Sequence, residues 1–376
     1  MIFDTLVYSD SWLAETSAIS NKVQADLVFV FGDSDILSQT EVFNDLQALY
    51  PNAQIVGASS AGNILGDEIH HAQVVATAVR FEKSSVAVAS VNFSAGDDVD
   101  AIAERLISQL PQDNLRHIFV LSDGLNINGS ALVRGINKLT DSVTFTGGMA
   151  GDGERFKETW VVANAPAEQF CIVVVGFYGE NLAISSGCFA GWSEFGGDRL
   201  VTKSSGNILY ELDNEPALKL YKKYLGKYAD ELPESGMRFP LSIKHKENDP
   251  EVIRTLLGIN EDDNSIIFAG DIPEGYTVRL MKPKIDLLID GAKVAAQEID
   301  KINDEPSLGL VVSCSGRRTV MQDLVEEELE IVGNVLGKNT QLTGFYSYGE
   351  IAPFSDDIYH CELHNQTLTL TVIYEK

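Results

Sequence analysis

Short apolar runs and helical-period stretches succeed each other three times along this chain. The first set runs from LVFVFGDSD (27–35) through Val42, Leu46 and Leu49 to IVGASSAGNI (55–64). The second runs from HIFVLSDGL (117–125) through Leu132, Ile136 and Leu139 to FTGGMAGDGE (145–154). The third runs from LGLVVSCSG (308–316) through Val325, Leu329, Val332 and Leu336 to LTGFYSYGEI (342–351). A continuous apolar run reads as a buried strand, and apolar residues at i, i+3, i+4 and i+7 read as one helix face. Strand, helix and returning strand at this spacing predict three βαβ units with parallel strands. Parallel crossovers place the strand ends Asp33, Asp123 and Cys314 on one edge with glycine turns at Gly57, Gly147 and Gly344. The carboxyl edge of such a sheet is where ligands bind.

Two further strand-like runs follow each unit. They are VVATAVRF with VAVASVNF, TWVVAN with FCIVVVGFYG, and HCEL with LTLTVIY. Their short separations predict antiparallel hairpins, and in TLTLTVIY the residues Leu368, Leu370 and Val372 share a face. The expected fold is therefore α/β, with mixed sheets built from three β-α-β-plus-hairpin units spanning 27–93, 117–189 and 308–374. Residues 195–306 interrupt the pattern. They hold an amphipathic helix over EPALKLYKKYLGKYADEL, with Asn214 as N-cap, Pro216 in the first turn and Gly226 at the stop. Short strands and a second helix, IDLLIDGAKVAAQEIDKI, follow. A boundary near 200–215 divides the chain into 1–205 and 206–376.

The net charge of -27 changes the list of possible partners. A surface this acidic repels phosphate backbones and anionic lipid, so nucleic acid and membrane binding are not expected. No apolar stretch has the length of a membrane span. The start MIFDTLVYSDSW has no basic region followed by an apolar core, as a signal peptide requires. Cys171, Cys188, Cys314 and Cys361 make no CxxC pair, and four scattered cysteines in 376 residues fit a reducing cytoplasm.

Candidate chemistry gathers at the ends of the units. Gly57, Gly147 and Gly148 allow backbone to approach a ligand closely, with Ser59, Ser60 and Asp152 beside them. In SCSGRR, Cys314 ends a strand and Arg317 follows. Arg317 can fork onto a ligand carboxylate, or pair with Glu328 inside the protein. In GFYSYGE, Tyr346 and Tyr348 beside Glu350 suit a planar or apolar ligand, or plain core packing. Catalysis is not expected. An acyl- or amide-processing enzyme using Cys314, Ser59 or Ser60 is the rival class, but no His partner and no GxSxG motif accompany them. His360 and His364 lie near Cys361 at the start of a strand, and either could be an axial metal ligand. No HExxH or CxxCH motif is present.

Several of these segments match a known pattern. GASSAG, SDGLNINGSALVRGI and GGMAGD resemble the N-terminal FIST domain, a bacterial sensory module. NEPALKLYKKYLG, FAGDIPEGYTVRLM, SCSGRR and GFYSYGEIAPF resemble the C-terminal FIST domain. The ending HCELHNQTLTLT resembles a FIST subgroup of haem-binding nitric-oxide sensors. The resemblance implies a two-domain sensory protein that binds a small molecule, either haem ligated by His364 or His360 or an organic ligand such as an amino acid. It also implies a separate signalling partner, a histidine kinase or a diguanylate cyclase or phosphodiesterase.

Overall fold

The computed structural model describes residues 1–140, 142–246, 249–300, 305–354 and 357–376. The last two residues of the second predicted helix lie outside the described residues. The structure forms all three βαβ units. The first comprises β1 (Ile2–Tyr8), β2 (Leu27–Gly32), α1 (Thr40–Leu49), β3 (Gln54–Ser59), β4 (Asn63–Leu65) and β5 (Val74–Arg80). The second follows with β6 (Ser85–Asn92), α2 (Val99–Ile107), β7 (Leu115–Ser122), α3 (Gly129–Asn137), β8 (Thr144–Met149), β9 (Val161–Ala163) and β10 (Cys171–Tyr178). Then come β11 (Leu182–Phe189) and an inserted segment containing α4 (Ala217–Leu225). The third unit has α5 (Ile285–Gln297), β12 (Ser307–Cys314), α6 (Ser315–Met321), α7 (Val325–Leu336), β13 (Thr340–Ser347), β14 (Gly349–Phe354), β15 (Asp357–His364) and β16 (Leu368–Glu375).

The parallel pairs are in equivalent register. Val30 lies opposite Gly57, Val120 opposite Gly147 and Val311 opposite Gly344. These glycines sit inside the returning strands, not in the turns after them. A Cβ at Gly57 or Gly344 would stand 1.8 Å from a backbone oxygen, that of Val30 or Val311. The requirement is close strand approach, not ligand access. Gly57→Ala and Gly344→Ala should each cost about 1–3 kcal/mol, because neither strand can yield without losing ladder bonds. Urea unfolding measures this, and a loss below half a kcal/mol would refute the argument.

The expected hairpins are corrected. The two strands that follow each parallel pair do not pair with each other. The strand β5 pairs antiparallel with β2, while β6, the expected hairpin partner of β5, pairs with β10 instead. In the second unit β10 pairs with β7, but β9 crosses to β3. In the third, β16 pairs with β12, whereas β14 and β15 join β8. In return, β4 reaches β13, and β11 closes the edge beside β16. Three six-stranded sheets result, each with the same plan and each borrowing strands from another unit. The exchange crosses residue 205 in both directions, since β4 and β11 join the sheet of the third unit while β14 and β15 join that of the second.

This exchange surrounds one central core. Phe29 and Phe31 from the first sheet, Phe119 and Val173 from the second, and Val312 and Phe345 from the third share it. Phe31 stacks on Phe345 at 4.8 Å, and Phe29 meets Phe119 edge-on at 5.7 Å. Burial on that inner face explains why the one-face reading of β16 is incomplete: its eight residues are all buried. Thr371 tolerates this by bonding Thr146, and Thr369 by donating to the carbonyl of Val312. Helices cover the outer faces, with α1 on the first sheet, α2 and α3 on the second, and α5 and α7 on the third.

The insert forms a fourth sheet of nine strands with its own core. Helix α4 starts after Pro216 rather than Asn214, because Asn214 takes a positive φ of 64° in the preceding turn. Gly226 closes the helix with φ of 58°, as expected for a stop. Among the described residues no helix is long and apolar enough to cross a membrane.

Candidate functional site

A cleft of about 350 Å³ opens at the carboxyl ends of β7 and β12, under the insert. The loop 124–129 forms one wall and Cys314–Gly316 another. Asn207, Thr255, Leu257 and the segment Phe268–Gly270 come from the insert, and Phe156 and Tyr348 close the end. A cleft thus sits at the carboxyl edge of two of the three units. The roof was not anticipated.

Each wall has a local cause. Asp123 ends β7 with its carboxylate turned inward and wholly buried. It accepts the backbone N–H groups of Leu125, Asn126 and Phe170, the side-chain amide of Asn126 and the Thr159 hydroxyl. This folds the loop into a fixed turn, which Asn128 ends by capping α3 through Ala131 N–H. Asp152 does similar work next door. Its carboxylate accepts the N–H groups of Phe156, Lys157 and Glu158 and the Tyr348 hydroxyl. Phe156 is thereby held at φ of 50° and stacked on Tyr348 at 4.6 Å. Burial and Asp152 raise the Tyr348 phenol far above its usual range, so it stays a donor.

Two side chains unforeseen from sequence clamp the insert over the cleft. Asp271 accepts from Arg134 at 2.7 Å and from Asn128 at 3.0 Å. Arg254, almost wholly buried, donates to the carbonyls of Leu363 and Asp271. Asp271 lies in the FAGDIPEGYTVRLM segment and Arg254 in no motif, and neither pairing could be read because the partners are far apart in sequence.

Of the residues singled out from sequence, only Cys314 and Tyr348 line this cleft. Cys314 caps α6 by accepting Gly316 N–H at 3.4 Å, and burial drives its thiol strongly upward. A thiol so placed is a poor nucleophile. Gly57, Gly147 and Gly148 lie in strands, where Gly148 faces Val312 and Phe345 of the central core. Ser59 accepts Trp160 N–H, and Ser60 bonds Asn63; both are buried. Asp152 stands behind Tyr348, as described.

Arg317 is not a ligand fork. It is fully buried and paired with Glu328, donating also to Leu288 O at 2.9 Å. Glu328 further accepts from Ser313 and Tyr346. Tyr346 belongs to this network and to the outer core of the third sheet.

Glu350 is fully buried beneath a second cleft of about 360 Å³. It accepts Ser347 and Thr367 hydroxyls and Thr367 N–H. Cys188, Phe189, Trp192, Met281, Phe354 and His364 are among the lining residues. His364 donates from Nε2 to Ala352 O, 3.1 Å away, and meets Phe354 edge-on. His360 is exposed on the edge strand and does not line the cleft. Among the described residues no group of three or more His, Cys, Asp or Glu is placed to hold a metal ion.

Three buried groups set the pH response. Burial pushes His117 down to about 3 and His364 down to about 4. Unfolded histidine binds its proton near pH ~6.5, so these two groups lose stability as pH falls below that value. Burial pushes Glu350 up to about 8. Its contribution is complete below the unfolded carboxyl range and is lost as pH rises through about 8. Glu350→Gln removes this alkaline loss. The Tm of the wild type should therefore fall more steeply than that of the variant between neutral pH and pH ~8.5. Parallel curves would contradict the assignment.

Two family models match consecutive parts of the chain. The family model for the FIST N domain matches residues 26–215, and that for the FIST C domain matches residues 217–353. The chain is 24% identical over 370 residues to an uncharacterized protein of Methanocaldococcus jannaschii, covering 89% of this chain and 70% of that one. Among solved structures it is similar to a cyanuric acid hydrolase from A. caulinodans, with 9% identity, 96% and 92% coverage and a TM-score of 0.34. A likeness at that score carries no argument about mechanism.

Proposed function

The chain belongs to the FIST family, and from that premise we propose that it is a sensory protein that binds a small organic molecule in the cleft beneath the insert. The observation that carries this reading is the cleft itself. It lies at the carboxyl ends of β7 and β12, and its wall is shared by two βαβ units and the insert. A ligand there touches two βαβ units and the insert at once, so binding can shift their relative position. Phe156 and Leu257 line this cleft and are 37% and 44% exposed, so they offer apolar area that a ligand can cover.

The role is binding without turnover. Cys314 has a raised thiol and no imidazole beside it, and Ser59 and Ser60 are engaged in structural bonds. The signal would pass to a separate protein, a histidine kinase or a cyclic-di-GMP enzyme, and the working compartment would be the cytoplasm. A thermal-shift screen of small metabolites tests the binding claim. Ligands of this cleft should raise Tm by mass action, by about 2.7 kcal/mol of stability at a hundredfold excess over Kd. A broad screen without any stabilising compound would refute it.

Haem is the second reading, favoured by His364 in the second cleft. Its imidazole is held neutral, with a pKa near 4, and neutral imidazole is the ligating form. Phe189, Trp192 and Phe354 give the aromatic wall a porphyrin needs. The residues fit axial ligation but not propionate binding, since neither Arg317 nor any other Lys or Arg lines this cleft among the described residues. Bound haem would supply an iron able to take nitric oxide. His364→Ala should abolish the Soret shift in a haem titration while His360→Ala leaves it intact. Equal titrations in wild type and both variants would eliminate this reading.

A further inference from the structure

The chemistry of the first cleft narrows its ligand. Among the described residues, none of its lining side chains is charged. An amino acid would bring an ammonium and a carboxylate to walls that offer no counter-charge, and covering an unpaired charge is costly. A phosphate or a carboxylic acid meets the same objection. The acidic clamp residue Asp271 does not supply a counter-charge, because Arg134 and Asn128 already occupy both its oxygens.

What the walls do offer is hydrogen-bond acceptance. The Asn126 amide nitrogen donates to the Asp123 carboxylate at 2.9 Å. The Asn207 amide nitrogen donates to the Phe268 carbonyl at 2.8 Å. Both partners can only accept, so each amide has one allowed orientation. Asn126 Oδ1 and Asn207 Oδ1 are therefore left over for a ligand, the first on an exposed residue and the second on a half-buried one. The Thr255 hydroxyl, in the same wall and 6% exposed as a residue, has no partner. Apolar surface completes the lining, with the Phe156–Tyr348 stack at one end and Phe268 at the other side.

Resting on the binding reading above, we propose that the cleft selects an uncharged, planar molecule rich in N–H donors. Lactams, carboxamides and nucleobase-like heterocycles have this chemistry. The donor edge meets the oxygens of Asn126 and Asn207, and the flat face lies against the aromatic wall. Orphaned amide oxygens specify donors more strongly than they reward general polarity, because leaving them unpaired under a ligand is penalised.

Calorimetric titration with two probe sets tests the selection. Uracil, nicotinamide and 2-pyrrolidone form the neutral set; L-glutamate, L-lysine and inorganic phosphate form the charged set. At least one neutral probe should bind the wild type, and Asn126→Ala and Asn207→Ala should each weaken it by about tenfold, the effect of one lost hydrogen bond. Circular dichroism confirms that the variants fold, and Asn207→Ala keeps the test open should Asn126→Ala not. Binding of a charged probe that a bulky substitution at Ala269 blocks would overturn this selection and leave the cleft's binding role standing. Neutral binding unchanged in both folded variants would also overturn the selection. Silence of both sets would overturn the selection and count against the binding role itself.

Discussion

Arg317→Ala is expected to remove about 3–5 kcal/mol of stability, the range for a buried ion pair that loses one partner. The substitution leaves the Glu328 carboxylate inside a core with two hydroxyl donors, Ser313 and Tyr346, and no cation beside it. It also orphans the carbonyls of Ala190 and Leu288. Glu328 lies on α7, Leu288 on α5 and Ala190 just after β11, so the damage reaches the third sheet and both helices over it. The pair itself is not the stabilising quantity. Arg317→Met with Glu328→Leu removes both charges, keeps the volume and should recover most of the loss. Urea unfolding of the two single variants and the double variant measures this. A single Arg317→Ala loss below about 1 kcal/mol would place the arginine in a solvated site and contradict the burial argument.

Ala269→Trp is expected to abolish binding in the first cleft. Ala269 is half-buried in the cleft wall, and its backbone N–H is tied to Thr255 O. An indole there occupies much of a 350 Å³ space without disturbing the strand bond. The cost to folding should stay small because the added ring grows into open volume rather than packed core. Ser315→Trp approaches from the opposite wall and serves as an independent copy of the same test. Affinity should fall at least about a hundredfold in both, which is about 2.7 kcal/mol.

Much of this arrangement was legible in the chain. The apolar runs at 27–32, 117–122 and 308–314, with the helical patterns between them, specify βαβ units because both periodicities are local. The carboxyl edge followed from that, and Cys314 and Tyr348 do line the cleft there. Strand partners were not legible. The run Val86–Val91 says strand, but nothing local says that β6 pairs with β10 rather than β5. The glycines were misplaced for a related reason: Gly57, Gly147 and Gly344 look like turn residues until a neighbouring carbonyl fills the space of their Cβ. Arg317 and Glu328 stood eleven positions apart as a possible pair, yet only packing decides between an internal partner and a ligand. Of the insert's share of the cleft, Phe268–Gly270 open the FAGDIPEGYTVRLM segment, whereas Asn207, Thr255 and Leu257 carried no motif.

The central claim is that the cleft under the insert is the sensing site. Calorimetric titration of the best stabilising metabolite into wild type and Ala269→Trp, at equal concentration and neutral pH, tests it most directly. The wild type should give saturable heat, and the folded variant should give none. Equal heats and equal affinities in the two proteins would show that the molecule binds elsewhere.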